Sequence, residues 1–467
     1  MLKKLLLLMS LTLATTGSSY ADNQDSLYYE LLDDLLVANI AANRNQAKTA
    51  MDNYITVAKN STDPRMAQLA TEYAVQIQNQ AAAMEMSELW ANLGKENLQA
   101  QIVAVTLTID KKPDATKKYI TNAIAIKPEN IDQHLLEVFL MLSDRSKEKL
   151  KGVLYTLAEQ KPTNAYILLS AAQIGAQLGD IKQANSLVDE SLKINPNLSN
   201  SIELKAKLIR HTSNSDSKAL EYLDQMVQQH PNDSQLKLFY AKALVDNEQP
   251  TKAIKHLEAL IKSVPDNGEA LLVLGRIYLE QNDLNLAKKY LQQAANIKNS
   301  SNIAKYLLAK TAEQENNLPD AINWYSQVDD AEIGIVAKLR AAMLLTLEKK
   351  YSEAIDILHS ANPETFIEQK QLLLSEVEVL IESNDLNSAL KITNSVLDLD
   401  PEDLDFLYTR SLIHSLNANW HAAEKDLLTM LQIDPENKEA LDTIQKLKAG
   451  NKIPSFLPLP ATGLPTN

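Results

Sequence analysis

Seven histidines, His134, His211, His230, His256, His359, His414 and His421, come first for chemistry, because imidazole ligates metals and moves protons near neutral pH. They are scattered, and only His414 and His421 straddle one expected inter-helix turn, with Trp420 beside them. No third ligand accompanies the pair, so no metal centre is expected there. The acidic run Asp398, Asp400, Glu402, Asp403 and Asp405 has the charge of a calcium loop but lacks the Gly and terminal Glu of the helix-loop-helix kind. Beside Pro401 it reads instead as the start of a helix, whose positive end carboxylates stabilise by roughly 0.3–1 kcal/mol. Cysteine is absent, which excludes thiolate nucleophiles, disulfides and cysteine-based metal sites. There is no Gly-rich phosphate loop, no Ser elbow flanked by glycines and no His-Glu-x-x-His run. The sequence therefore offers no catalytic residue, metal ligand set or cofactor site, and it reads as a non-enzyme.

Three cations have a more informative spacing. Lys242, Arg276 and Lys310 follow one another at equal intervals. Tyr306 lies one turn before Lys310, and Tyr408 holds the like place in a later segment. Such a series forms a spatial row only if the chain itself repeats with the same period.

It does. Ala184, Ala219, Ala253, Ala287, Ala321, Ala354, Ala389 and Ala423 recur with a period of roughly 34 residues, the length of one helix-turn-helix unit. No interval departs from that length by more than one position. Pro128, Pro162, Pro196, Pro231, Pro265, Pro401 and Pro435 keep the same phase, and from Pro196 onward each follows its alanine by one fixed offset. Proline lacks an amide donor and disfavours helix just before it, so it can close the second helix of each unit. Upstream, Ala50, Ala83, Ala115 and Leu150 hold the phase more loosely. Leu150 breaks the small-residue rule, and extra volume at a close helix contact typically costs ~1–3 kcal/mol, so a bend in the array is one reading of that unit.

The unit from Gly268 to Ser301 shows the pattern best, with Leu271, Leu274-Gly275, Tyr278, a turn at Gln281-Asn282-Asp283, then Ala287, Leu291 and Ala294. It resembles the tetratricopeptide repeat, in which two antiparallel helices approach through small residues. The expected fold is all-α, a right-handed superhelical solenoid of about twelve helix pairs with a C-terminal capping helix. Expected divisions are a signal peptide at 1–21, degenerate repeats at 22–164, a clear array at 165–435, a capping helix at 436–449 and a Pro-rich flexible tail at 450–467.

Composition agrees. Hydrophobic residues make up 45% of the chain and aromatics only 5%, with 10 glycines, a balance that favours helices over a β-sandwich. Lys3, Lys4, the apolar stretch Leu5 to Ala14 and Ser19-Tyr20-Ala21 read as a cleavable export signal, which places the mature chain in the periplasm. No later stretch is apolar enough to span a bilayer. A net charge of −14 disfavours nucleic acid and anionic lipid as partners, because their phosphates need a basic face.

In tetratricopeptide proteins the first helices of the units line a groove that holds peptides. The resemblance implies that Lys242, Arg276 and Lys310, with Tyr306 and Tyr408, form a partner-binding groove, the cations fixing carboxylates by charge-assisted hydrogen bonds. The competing reading is three solvated cations balanced by Glu269, Glu280 and Glu313. The segments Leu35 to Ala41, Asp63 to Ala67, Glu88-Leu89-Trp90, Asp405 to Arg410, Asp426-Leu427-Leu428 and Ile433 to Asn437 further resemble a proteobacterial envelope family of such proteins. Members of that family include outer-membrane lipoproteins that present peptidoglycan hydrolases to a carboxyl-terminal processing protease. This chain differs from them in having no cysteine to accept lipid after its signal. The resemblance implies an adaptor for such a protease and its hydrolases; an assembly factor for a secretion, pilus or polysaccharide export machine is one alternative, and an enzyme with an unrecognised site is another. Self-association stays open.

Overall fold

The computed structural model describes residues 25–448, apart from 45, 331–332 and 364. The expected signal segment and Pro-rich tail lie outside the described residues. Within them the chain is all-α, with 25 α-helices, one short 3-10 turn and no strand. Repetition of one helix pair accounts for the solenoid architecture, as the alanine period leads one to expect.

The alanine ladder is the packing seam. Ala50, Ala83, Ala184, Ala253, Ala287, Ala321, Ala354, Ala389 and Ala423 are all fully buried, and Ala219 is nearly so. A single-carbon side chain there lets neighbouring helices close on each other. At the third rung the inward position belongs to Thr116 and not to Ala115, which is only partly buried. The hydroxyl of Thr116 lies 2.8 Å from that of Thr108, so the polar group is satisfied where it is buried.

Turns within the pairs repeat as regularly. Gly179, Asn214, Glu248, Asn282, Asn316, Lys349, Asn384 and Ala418 all have positive φ, and they recur with the period of the alanine ladder. In most of these turns the next amide reaches back to the carbonyl five positions earlier, as Asp283 does to Tyr278 at 2.8 Å and Asn419 to His414 at 2.8 Å. This left-handed stop satisfies carbonyls that the helix end leaves free. The residue after it then opens the following helix: Asp283 accepts from the amide of Leu286 at 3.1 Å, and Asp385 from that of Ser388 at 3.1 Å.

The helices divide into two compact units after Tyr240. In the N-terminal unit, α1 (Asp25–Asn43) and α2 (Ala47–Asn60) begin the series, and the regular pairing changes around Leu150. There α7 (Ile131–Met141) packs on α9 (Ala165–Gln177) and α5 (Leu98–Thr108), while α8 (Asp144–Gln160) packs on α9 and α6 (Pro113–Ile126). Leu150 itself is fully buried in α8, so its volume is absorbed by this arrangement and not left exposed.

The C-terminal unit contains α15 (Gly268–Glu280), α16 (Leu284–Ala295), α17 (Ser301–Gln314), α18 (Leu318–Ser326), α19 (Gly334–Leu347), α20 (Tyr351–His359), α21 (Phe366–Glu382), α22 (Leu386–Leu397), α23 (Leu404–Leu416), α24 (Trp420–Ile433) and α25 (Lys438–Lys448). Gly275 on α15 faces Leu291 on α16 so closely that a Cβ at Gly275 would stand 2.4 Å from Leu291 Cδ2. At the end of the described chain, Ala440 and Ile444 of α25 bury themselves against Phe406, Leu407, Leu427 and Met430. This helix covers an apolar face that the last pair would otherwise present to water.

Candidate partner-binding groove

Why the row lies on a surface follows from what each first helix buries. In α15, Ala270, Leu271, Val273, Leu274, Gly275, Ile277, Tyr278 and Leu279 are buried. That leaves Glu269, Leu272, Arg276 and Glu280, three and four positions apart, on one outward stripe. The matching stripe of α17 carries Ile303, Tyr306 and Lys310, with Ile303 and Lys310 exposed.

The three cations have different electrostatic fates. Lys242 forms an ion pair with Glu269, which stands on the next first helix. The equivalent of Glu269 one unit further on is Ile303, and two units on it is Val336, so neither Arg276 nor Lys310 has a carboxylate in that place. Among the described residues Arg276 is held only by Glu280 of its own helix, at 3.8 Å. Lys310 has no carboxylate within ion-pair distance among the described residues. Glu313, the residue expected to balance it, is occupied by Arg340 and Tyr325. The balanced-cation reading thus holds for Lys242 and weakly for Arg276, while Lys310 helps lower the Glu313 carboxyl pKa without forming an ion pair with it.

Tyr306 lies edge-on to Tyr325, ring centres 5.5 Å apart, and stays half-buried beside Lys310. Tyr408 is placed differently. It packs with the cluster that includes Ala440, Ile444 and Leu447 of α25, and burial pushes its phenol pKa up. Tyr306 therefore borders the cationic stripe, whereas Tyr408 is engaged with the capping helix.

Three further polar clusters are not legible in the sequence alone. Arg410 grips the buried Asp426 through Nε at 2.9 Å and a second nitrogen at 2.7 Å, and reaches Asn394 at 2.9 Å. His414 sits 4.0 Å from Asp426, and burial lowers its pKa. His421 is exposed beside Glu424 and Lys425. In the second cluster, Lys370 lies 2.8 Å from Asp403 and 2.6 Å from Asp405. Asp403 also accepts from the amides of Asp405 and Phe406 at 3.1 and 3.2 Å, which gives the acidic run the helix-capping role its sequence suggested. The third cluster lies in the N-terminal unit, where Asn200 donates to both oxygens of the buried Asp132 at 3.2 and 3.1 Å, and Gln235 donates to Asn200 at 2.8 Å. Only the recurrence of polar residues at Asp132, Asn200 and Gln235 hints at this chain of amides.

A family model described as tetratricopeptide repeat matches residues 217–277 and 244–311. A TPR repeat-containing protein of Pseudomonas aeruginosa is 29% identical over 426 residues, covering 90% of this chain and 70% of its own length. Among solved structures, yeast Tom70 matches 90% of this chain and 96% of its own at 14% identity and a TM-score of 0.31. PilW, a type IV pilus biogenesis factor, matches 43% of this chain and 92% of its own at 17% identity and a TM-score of 0.33. Residues 217–311 thus match tetratricopeptide repeats, and the described helices on either side continue the same helix-pair architecture.

Proposed function

We propose that this chain is an exported scaffold that binds protein partners on the cationic stripe of its C-terminal unit, and that it serves in the periplasm as an adaptor bringing peptidoglycan hydrolases to a carboxyl-terminal processing protease. The observation that carries the binding reading is Lys310, exposed beside Tyr306 and without a carboxylate in ion-pair contact among the described residues, Glu313 acting on it only at longer range. A solvated cation is common, but one at a repeat-equivalent position next to Arg276 offers two donors to a partner's carboxylates. Export rests on the N-terminal sequence, and the adaptor role rests on the resemblance to envelope proteins. On this reading the protein performs no bond chemistry: it raises the local concentration of a substrate before a separate enzyme and orients it there. Repeat proteins of this architecture act typically as scaffolds, which agrees with the lack of a catalytic constellation in the sequence.

The test is capture from an envelope extract, comparing the mature chain with a variant carrying Lys242→Glu, Arg276→Glu and Lys310→Glu. The expected result is recovery of a processing protease and wall hydrolases by the native chain, with loss of at least one class by the folded variant. Equal capture by both proteins would refute the groove reading. Recovery of secretion, pilus or polysaccharide export subunits instead would refute the adaptor role and favour an assembly factor.

A further inference from the structure

The stripe that carries Lys310 continues onto α21 with the opposite sign. Glu378 lies two repeat periods beyond Lys310, so it occupies the position that Lys242, Arg276 and Lys310 hold in their own units. The other faces of α21 are already used. Leu372 and Val379 pack with Leu339, Ala342 and Leu358 of the preceding pair, and Val377, Leu380 and Ile381 pack with Ala389 and Ile413 of the following helices. Glu376 turns toward His359 at 3.0 Å. Glu378 and Glu382 are left one turn apart on the remaining face.

Glu378 is partly buried, yet among the described residues it has neither a hydrogen bond nor an ion pair. The cation nearest along its helix, Lys370, is drawn away to Asp403 and Asp405. Burial, reinforced by Glu382, raises the Glu378 carboxyl to about 7. A half-desolvated carboxylate without a cation is unfavourable on its own, and a cation supplied from outside would relieve it. Lys310, exposed and without an ion-pair contact among the described residues, presents the complementary charge on the same stripe, and Ile303, 48% exposed, adds apolar surface near Arg276. Packing is continuous between the two ends, since Ala309 and Ala312 of α17 share a cluster with Ala337 and Leu344 of α19, and Leu339 of α19 shares one with Leu372 of α21.

We propose that this groove is bipolar and takes one polypeptide segment of a partner protein, with an acidic side chain on Lys310 and a Lys or Arg side chain on Glu378. The proposal rests on the groove reading above and narrows it, because opposite charges two repeats apart allow the segment to lie in one direction only. A segment bearing acids alone would leave Glu378 unpaired, and a reversed segment would set like charges together at both ends.

The probe is a displayed library of random 16-residue peptides, selected at pH 8 against the purified full chain and against Lys310→Glu, Glu378→Gln and Glu378→Lys. The native chain is expected to select sequences with an acidic and a basic position in fixed order and separation. Glu378→Gln should lose the basic preference alone, Glu378→Lys should replace it with an acidic one, and Lys310→Glu should lose the acidic preference alone. Peptides selected on the native chain should bind Glu378→Gln about tenfold more weakly. Glu378→Gln is nearly isosteric, so it carries the test should the lysine variant fail to fold. Loss of the acidic preference in Lys310→Glu with no change in Glu378→Gln would overturn the bipolar site and leave the groove reading standing. Selection insensitive to both substitutions, or no selection at all, would overturn both.

Discussion

Arg340 grips Glu313 from the next first helix, its Nε 3.1 Å from each carboxylate oxygen, and Tyr325 donates its hydroxyl to the same carboxylate at 2.7 Å. The arrangement ties α17, α18 and α19 together. Burial pushes the Glu313 carboxyl up, but the bonds from Arg340 and Tyr325 outweigh it and hold the group below the ordinary glutamate range. Removing the guanidinium would leave a largely buried carboxylate with one remaining donor. Arg340→Ala is expected to destabilise the chain by about 1–3 kcal/mol, read from urea unfolding followed by circular dichroism. The linkage has a definite sign: a lowered folded pKa adds stability above the unfolded value near 4.5 that is lost as pH falls through the folded one. The native chain should therefore lose more stability than Arg340→Ala on acidification below about 4.5. Equal losses would show that the pair is not energetically coupled.

Gly275 offers a steric prediction. A methyl group there would meet Leu291 at 2.4 and 2.5 Å, and Leu291 is fully buried with no open side to move toward. Helix propensity alone would make Gly→Ala favourable by about 1 kcal/mol. The clash should reverse that sign, with Gly275→Ala losing roughly 1–3 kcal/mol by the same unfolding measurement. A stabilised variant would mean that α15 and α16 can separate without cost.

The repeat is legible because its two markers are physical requirements. Ala287 must be small for helices to touch, and Pro265 must stop a helix, so both recur wherever the geometry recurs. Thr116 hides from such a pattern because its hydroxyl is satisfied inside the seam by Thr108, a local pairing with no repeat equivalent. Lys242, Arg276 and Lys310 are legible as a row, but their charge balance is not. Glu313 is closer in sequence to Lys310 than to Arg340, and only the stacking of successive first helices gives it to Arg340. Glu378 keeps the same register with the other sign, so a row defined by cations passes over it. Its burial depends on neighbours from separate pairs, which no local pattern encodes.

Ala418 is the residue least suited to its backbone. It holds φ of 57° at the turn between α23 and α24, where its counterparts include Gly179 and four asparagines. A left-handed conformation costs a non-glycine residue roughly 1–2 kcal/mol, less for asparagine, whose side chain tolerates it. Ala418→Gly should raise stability by about 0.5–1 kcal/mol after the greater freedom of glycine in the unfolded chain is counted. Ala418→Val should lower it, since a branched Cβ crowds the same carbonyl more severely. Differential scanning calorimetry of both variants checks the pair, and a gain with valine would show that the turn is not left-handed in solution.

Glu378 makes the pH response of the C-terminal unit depend on a carboxyl with the opposite sign from Glu313. Its folded pKa, raised from 4.5 to about 7 by burial and by Glu382, means that the folded chain holds a proton there which the unfolded chain has already released. Below about 4.5 both states are protonated and the group makes no difference. Between 4.5 and 7 the folded state binds more proton, so stability falls as pH rises, and above 7 the full penalty persists. The cations around α21 do not cancel this, because Lys370 is committed to Asp403 and Asp405 and His359 to Glu376. Glu378→Gln, neutral at every pH, should be more stable than the native chain at pH 8 and indistinguishable from it at pH 4.5. Urea midpoints measured at half-unit intervals between those values would show the two curves converging toward acid. Parallel curves would mean that Glu378 finds a cation or water when ionised, and that its burial carries no cost for a ligand to relieve.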